Sequence, residues 1–272
     1  MKKILLLSLR SAVYLFAVIG IVLSLGYGAT YFHLTNTVGI IDKQGKHFVA
    51  PQKDEYLPFP LAHTSEWRAF KQSIVKDASI IKKVSKETGV PARIIIAIAV
   101  PEQMRLFYSD RALFKKVFEP LKILGSQSQF SWGIFGIKDE TAREVEAHLR
   151  TATSPYYLGK KYENMLDFTS SDIDQERFTR IVDEHDHTYA YLYAALYVAQ
   201  INAQWEKAGF PINDRPEIIA TLWNLGFTKS VPNATANSGG SVLEINGEKY
   251  SFGTFAHNFY YSDELIEIFP RE

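Results

Sequence analysis

The sequence predicts an α+β chain that is mostly α, with one small β-hairpin, preceded by an N-terminal transmembrane helix. Three observations lead there. Apolar residues recur at three- and four-residue intervals through most of the region after residue 63, the period of a helix with one face turned inward. A strand, turn, strand pattern runs from Val242 to Phe252 around Asn246-Gly247, a pair that accepts the positive φ angles of a two-residue hairpin turn. Residues 12–32 carry no charge, and the stretch is about as long as a bilayer-spanning helix requires.

Lys2, Lys3 and Arg10 all precede that uncharged stretch, so the positive-inside rule places residues 1–11 in the cytoplasm and everything after Phe32 outside. A cleaved signal peptide has an apolar region of only about 7–15 residues. No Ala-x-Ala site follows the stretch, although Gly26 and Gly28 offer a weak alternative, and a retained single-pass anchor is the expectation. Residues 33–63, with Pro51, Pro58 and Pro60, read as an extended connector, and 64–272 as the domain that faces the periplasm or cell wall.

Within the domain, Thr64 or Ser65 caps a helix in which Trp67, Phe70, Ile74, Ala78, Ile81 and Val84 share a face, ending near Gly89. Pro91 suits the first turn of the next helix, which is expected to end or kink before Glu102, because Pro101 lacks an amide donor and crowds the carbonyl of Ala97. Further helices are predicted from Asp139 through Leu149, from Thr188 through Gly209, and from Pro216 to Leu225, with Asn233 to Ser241 as a loop.

Composition narrows the chemistry. The 272 residues are 46% hydrophobic and 14% aromatic, enough for a sizeable core. Thirty basic residues balance thirty acidic ones, which disfavours nucleic acid as a partner. There are no cysteines, so thiolate catalysis, disulfides and Cys-ligated zinc are all excluded. His185-Asp186-His187 is a weak metal candidate, since residues two apart do not share a helix face and no third ligand stands at motif spacing; no metal or cofactor is assigned.

The most informative residue is Glu102. It closes the run Ile94-Ile95-Ile96-Ala97-Ile98-Ala99-Val100 and precedes a Gly-rich aromatic segment, Ser131-Trp132-Gly133-Ile134-Phe135-Gly136-Ile137. Ionising a carboxyl against so much hydrocarbon is costly, which is the property of a proton donor. On position alone a helix-end Glu turned to solvent is the better reading, and the neighbouring segments reverse it.

The order of these segments resembles the lysozyme-like lytic transglycosylases of bacterial cell-wall metabolism. Ile94 to Glu102 is similar to the apolar helix that delivers the family's catalytic Glu, and Ser131 to Ile137 to its Ser-x-x-Gly-Leu-Met-Gln segment. Glu140 to Val145 looks like the Thr-Ala helix that follows. Ile218 to Gly226, containing Trp223-Asn224-Leu225-Gly226, is similar to the family's Ala-x-x-x-Tyr-Asn-x-Gly segment, and Tyr261 ahead of Leu265, Ile266, Ile268 and Phe269 looks like its late Tyr before a final helix. The resemblance implies a lysozyme-like domain that cleaves peptidoglycan glycan strands, with Glu102 as catalytic acid and base and Ser131, Trp132, Gly133, Phe135, Trp223, Asn224 and Tyr261 as substrate-binding residues. It implies no metal or cofactor.

Three positions depart from the family pattern: Gln103 where Ser is usual, Gly136 where Gln lines the cleft, and Pro101 directly before the acid. Three readings stay open at this level: a transglycosylase leaving 1,6-anhydro ends, a goose-type muramidase that hydrolyses the same bond with Asp110 as a candidate second carboxylate, and a domain that binds glycan without cleaving it. Gly133 and Gly136 also suit an ordinary turn around a core aromatic, and Asn224 with Gly226 an ordinary helix end.

Overall fold

The computed structural model describes residues 59–107, 133–245 and 247–272, together with Tyr14, Phe16, Ala17, Gly20, Ile21 and Ser24. The chain divides into two units, Met1–Ile40 and Ile41–Glu272. The described elements of the second unit are α1 (Ser65–Lys76), α2 (Ala78–Thr88), α3 (Ala92–Phe107), α4 (Asp139–Arg150), α5 (Ile173–Val182), α6 (Thr188–Lys207), α7 (Pro216–Leu225), β1 (Val242–Ile245), β2 (Glu248–Ser251) and α8 (Phe252–Tyr261), with short 3₁₀ turns at Lys160–Tyr162 and Phe227–Lys229. A mostly helical unit with one small hairpin is therefore observed as expected.

The transmembrane anchor, and the single-pass membrane location that followed from it, require correction. Among the described residues no helix is long and apolar enough to cross a membrane. A span needs about 20 predominantly apolar residues. Helix α6 has 20 residues but carries Gln200, Asn202, Gln204, Glu206 and Lys207 in its second half, and its apolar side chains are spent on a protein core. Most of the expected anchor at 12–32, and the connector up to residue 58, lie outside the described residues. The end of that connector folds onto the domain: Phe59 and Leu61 are buried, and the Phe59 ring lies 4.6 Å from Trp67 and 5.4 Å from Phe255.

Helix α3 is the axis of the unit. Every residue from Ile94 to Val100 is buried, because a helix that is apolar on all sides has to be surrounded. It packs against α1, α2, α6, α7 and α8, while α6 packs against α2, α4, α5 and α7. Helices α7 and α8 approach closely at Gly253, where an added Cβ would stand 2.3 Å from both the Glu217 carbonyl and the Thr221 hydroxyl. The hairpin pairs Val242 with Ser251 and Ile245 with Glu248, and Gly247 takes φ +84° in its turn. Ser251 then caps α8 by accepting from the Thr254 amide, so the second strand runs straight into a helix.

Four local expectations change. The helix expected from 64 to 89 is two, broken at Asp77, whose carboxylate is buried and accepts from the Tyr191 hydroxyl (3.0 Å) and His187 Nδ1 (2.7 Å). Helix α3 does not stop before Glu102 but carries Pro101 in its interior and continues to Phe107, held beyond the proline by buried Met104. An unanticipated helix, α5, starts at Asp172, which accepts from the Gln175 amide. No final helix follows Tyr261: that residue ends α8, and 262–269 form turns.

Those turns are pinned by Arg93. Its guanidinium is fully buried with no carboxylate partner, and instead donates to the carbonyls of Tyr260 (2.7 Å), Glu264 (3.0 Å), Phe269 (3.0 Å), Phe259 (3.0 Å) and Ser262 (2.7 Å). A cation at the C-terminal end of α8 satisfies the carbonyls a helix leaves unpaired there. Burial, reinforced by nearby Arg271, lowers the Arg93 pKa to about 10, which leaves it charged at neutral pH.

Candidate active site

Glu102 stands one residue beyond Pro101 in α3 and is 5% exposed. Its Oε1 accepts from Arg105 Nη2 at 2.5 Å, a pairing that three-residue spacing on one helix face permits. The carboxyl is therefore shielded by hydrocarbon, as the sequence suggests, but also has a cationic partner.

The Gly-rich segment closes over this carboxyl. Residues 133–136 form a turn in which the Gly136 amide donates to the Gly133 carbonyl at 3.3 Å, with φ +62° at Gly133 and +58° at Gly136. Both glycines are required by contact as well as by conformation. A Cβ on Gly136 would lie 2.5 Å from Glu102 Oε1, and one on Gly133 would lie 2.3 Å from the Ile181 carbonyl at the end of α5. The turn is thus wedged between the acid and α5. Gln103 Nε2 donates to the Ile134 carbonyl and ties the same turn to α3.

On the other side of Arg105 lies the third segment. Arg105 Nη1 approaches the Ser241 hydroxyl at 3.4 Å, and Asn224 Oδ1 accepts from both the Ser241 amide (2.7 Å) and its hydroxyl (3.1 Å). A chain of polar contacts thereby joins Glu102 through Arg105 and Ser241 to Asn224 at the end of α7. Gly240, with φ +91°, approaches closely enough that a Cβ would stand 3.0 Å from the same Asn224 oxygen.

The aromatic candidates face inward. Phe135 is buried, its ring edge-on to Tyr191 at 5.3 Å and to Trp223 at 5.8 Å, and Trp223 packs on Tyr197 at 4.9 Å. These rings support the turn rather than present faces to a ligand. Tyr261 is buried in the last turn of α8, its ring 4.5 Å from that of His257 and 5.1 Å from that of Tyr260. Ser131 and Trp132, and the candidate second carboxylate Asp110, lie outside the described residues.

An ionic cluster centred on buried Arg177 joins α5 to α4. Arg177 of α5 donates to both carboxylate oxygens of Glu146 (2.6 and 2.8 Å) and to Asp174 (2.8 Å), and pairs at 3.4 Å with Asp139, two residues past Ile137. Burial works to lower the Arg177 pKa, but these carboxylates outweigh it and raise it. Tyr193 donates to Glu146 at 2.7 Å, and burial beside that carboxylate raises its pKa strongly. His187, from the weak metal candidate, is bound to Asp77, while His185 and Asp186 are exposed; among the described residues no group of three or more such side chains is placed to hold a metal.

Sequence reasoning missed Arg105, Ser241 and the supporting role of Gln103. Arg105 carried a usable signal, its spacing of three from Glu102; Ser241 carried none, since a loop brings it in. No family model, curated protein or solved structure matches the chain.

Proposed function

We propose that the chain is a peptidoglycan lytic transglycosylase in which Glu102 is the general acid and then the general base. The observation that carries this reading is the Glu102 carboxyl, buried at the proline-containing turn of an apolar helix and covered by Gly136 of the Gly-rich segment. The contact chain to Asn224 supports it, because it gathers the three sequence segments of the resemblance around one carboxyl.

The chemistry follows from one carboxyl. Protonated Glu102 gives its proton to the oxygen linking N-acetylmuramic acid to N-acetylglucosamine, the C1–O bond breaks, and the alcohol leaves. The substrate's own acetamido oxygen stabilises the positive charge at C1. The carboxylate then removes the proton of the 6-hydroxyl, whose oxygen attacks C1 and closes a 1,6-anhydro ring. Glu102 ends protonated and no water is consumed, so a second carboxylate is unnecessary.

The test is mass spectrometry of sacculi digested with wild type and with Glu102→Gln. Wild type is expected to release 1,6-anhydro ends, and the nearly isosteric amide to lose at least about 10²–10⁴ in rate while remaining folded. Reducing ends would replace the lyase by a hydrolase. Glycan binding without turnover, unchanged in the variant, would overturn catalysis altogether.

A further inference from the structure

We infer that Arg105 is the positioning residue of this site: it holds the Glu102 carboxyl toward the Gly-rich turn and supplies its counter-charge. The inference rests on the reading of Glu102 as the acid and concerns a residue for which the sequence resemblance supplies no role.

Arg93 and Arg177, the buried arginines among the described residues, show how Arg105 differs. Arg93 uses Nε and both Nη atoms on five carbonyls, and Arg177 uses all three on carboxylates. Both are saturated, as a group serving only the fold should be. Arg105 holds one carboxylate oxygen through Nη2, reaches Ser241 only at 3.4 Å, and leaves Nε buried without a partner. A guanidinium in this condition is poorly explained as a staple and well explained as a partner to Glu102.

Its charge fits the second half of the reaction. Once Glu102 has given up its proton, the resulting carboxylate sits in a buried site where an unpaired charge is expensive. Arg105 supplies the counter-charge at 2.5 Å, so it stabilises the carboxylate that proton donation leaves behind. Among the described residues no other charged side chain bonds to Glu102: Gly136 brings only backbone, and Ser241 and Asn224 are neutral. Arg105 also limits where the carboxyl can go, since its Nη1 reaches Ser241, itself bound to Asn224 of α7, at 3.4 Å.

The experiment measures kcat and KM for sacculus digestion by the full chain as wild type, Arg105→Met, Arg105→Gln and Arg105→Lys. Removing the positive charge is expected to lower kcat by about tenfold, with little change in KM. Arg105→Lys keeps the charge and is expected to recover most of the lost kcat. Arg105→Gln, neutral but still able to hydrogen-bond, carries the same test if the Met variant does not fold. An unchanged kcat in both neutral variants, or a change confined to KM, overturns the inference. A fully active Glu102→Gln enzyme would instead overturn the underlying assignment of the acid, so the two failures are distinguishable.

Discussion

Replacing Gly136 by Ala tests the closeness of the Gly-rich turn to the acid. The substitution has two costs of different kind. At φ +58° an L side chain is strained by about 1–2 kcal/mol, which is a loss of stability. The new Cβ would also stand 2.5 Å from Glu102 Oε1 and 3.1 Å from Cδ, where ordinary contact begins at 3.4 Å. Either the carboxyl or the turn must retreat by about 0.9 Å, and a misplacement of that size costs about 10²-fold in rate. The carboxyl cannot swing freely, because Arg105 holds it and it is 5% exposed. Gly133→Ala is the control: it has similar strain at φ +62°, but its Cβ meets the Ile181 carbonyl on α5, away from the acid. Urea unfolding and sacculus digestion, normalised to folded protein, separate the effects. Gly136→Ala is expected to lose about a hundredfold in rate with a modest stability loss. Gly133→Ala is expected to lose more stability and less rate per folded molecule. Equal rates for Gly136→Ala and wild type would refute the claim that this glycine exists to make room for the carboxyl.

Two further outcomes concern the fold. Arg93→Met removes the donor shared by five carbonyls; those of Phe259, Tyr260 and Ser262 keep a second donor in Ser262 or Arg271, and those of Glu264 and Phe269 lose theirs. A loss of about 3–5 kcal/mol is expected from urea midpoints, with the segment after Tyr261 becoming the first to exchange its amide hydrogens. His257 is buried, with Nδ1 unpaired, and burial lowers its pKa to about 4 from the ordinary 6.5. The unfolded chain therefore binds a proton first, so the neutral ring's contribution is complete above about pH 6.5 and is lost as pH falls toward 4, by up to roughly 3 kcal/mol. His257→Gln is expected to flatten the stability curve in that window, and an unchanged acid slope in denaturation would refute the assignment.

Elements that carry their own signal were legible. Helices α4, α6 and α7 and the hairpin have apolar spacing, a first-turn proline or an Asn-Gly turn within their own residues. The misses all depend on partners far away in sequence. The break at Asp77 exists because its carboxylate meets His187 and Tyr191, 110 and 114 residues on. Helix α5 was hidden because Arg177 interrupts its apolar stripe, and that arginine becomes an interior residue only once Glu146 of α4 is opposite. Helix α8 is not marked by an exposed face, because its polar residues His257 and Asn258 are buried together with Phe252, Phe255, Phe259 and Tyr260. In the site, Glu102 and the glycine turn were legible as types and spacing, whereas the inward orientation of Phe135 and Trp223 depends on packing against Tyr191 and Tyr197.

The three departures from the transglycosylase pattern become intelligible when taken together. A glutamine side chain at 136 would begin with a Cβ 2.5 Å from the Glu102 carboxyl, so that residue and the Glu102 position held by Arg105 exclude each other. Glycine resolves the conflict. Gln103 ties the turn to α3 by donating to the Ile134 carbonyl. Pro101 removes the amide that would have bonded to the Ala97 carbonyl, which weakens the helix at the turn carrying the acid. Buried Met104, the Gln103 bond and the approach of Arg105 to Ser241 then hold the helix after the proline. Residues 101, 103, 105 and 136 therefore act as one set, in which an arginine takes up the carboxyl and the surrounding residues adjust to it.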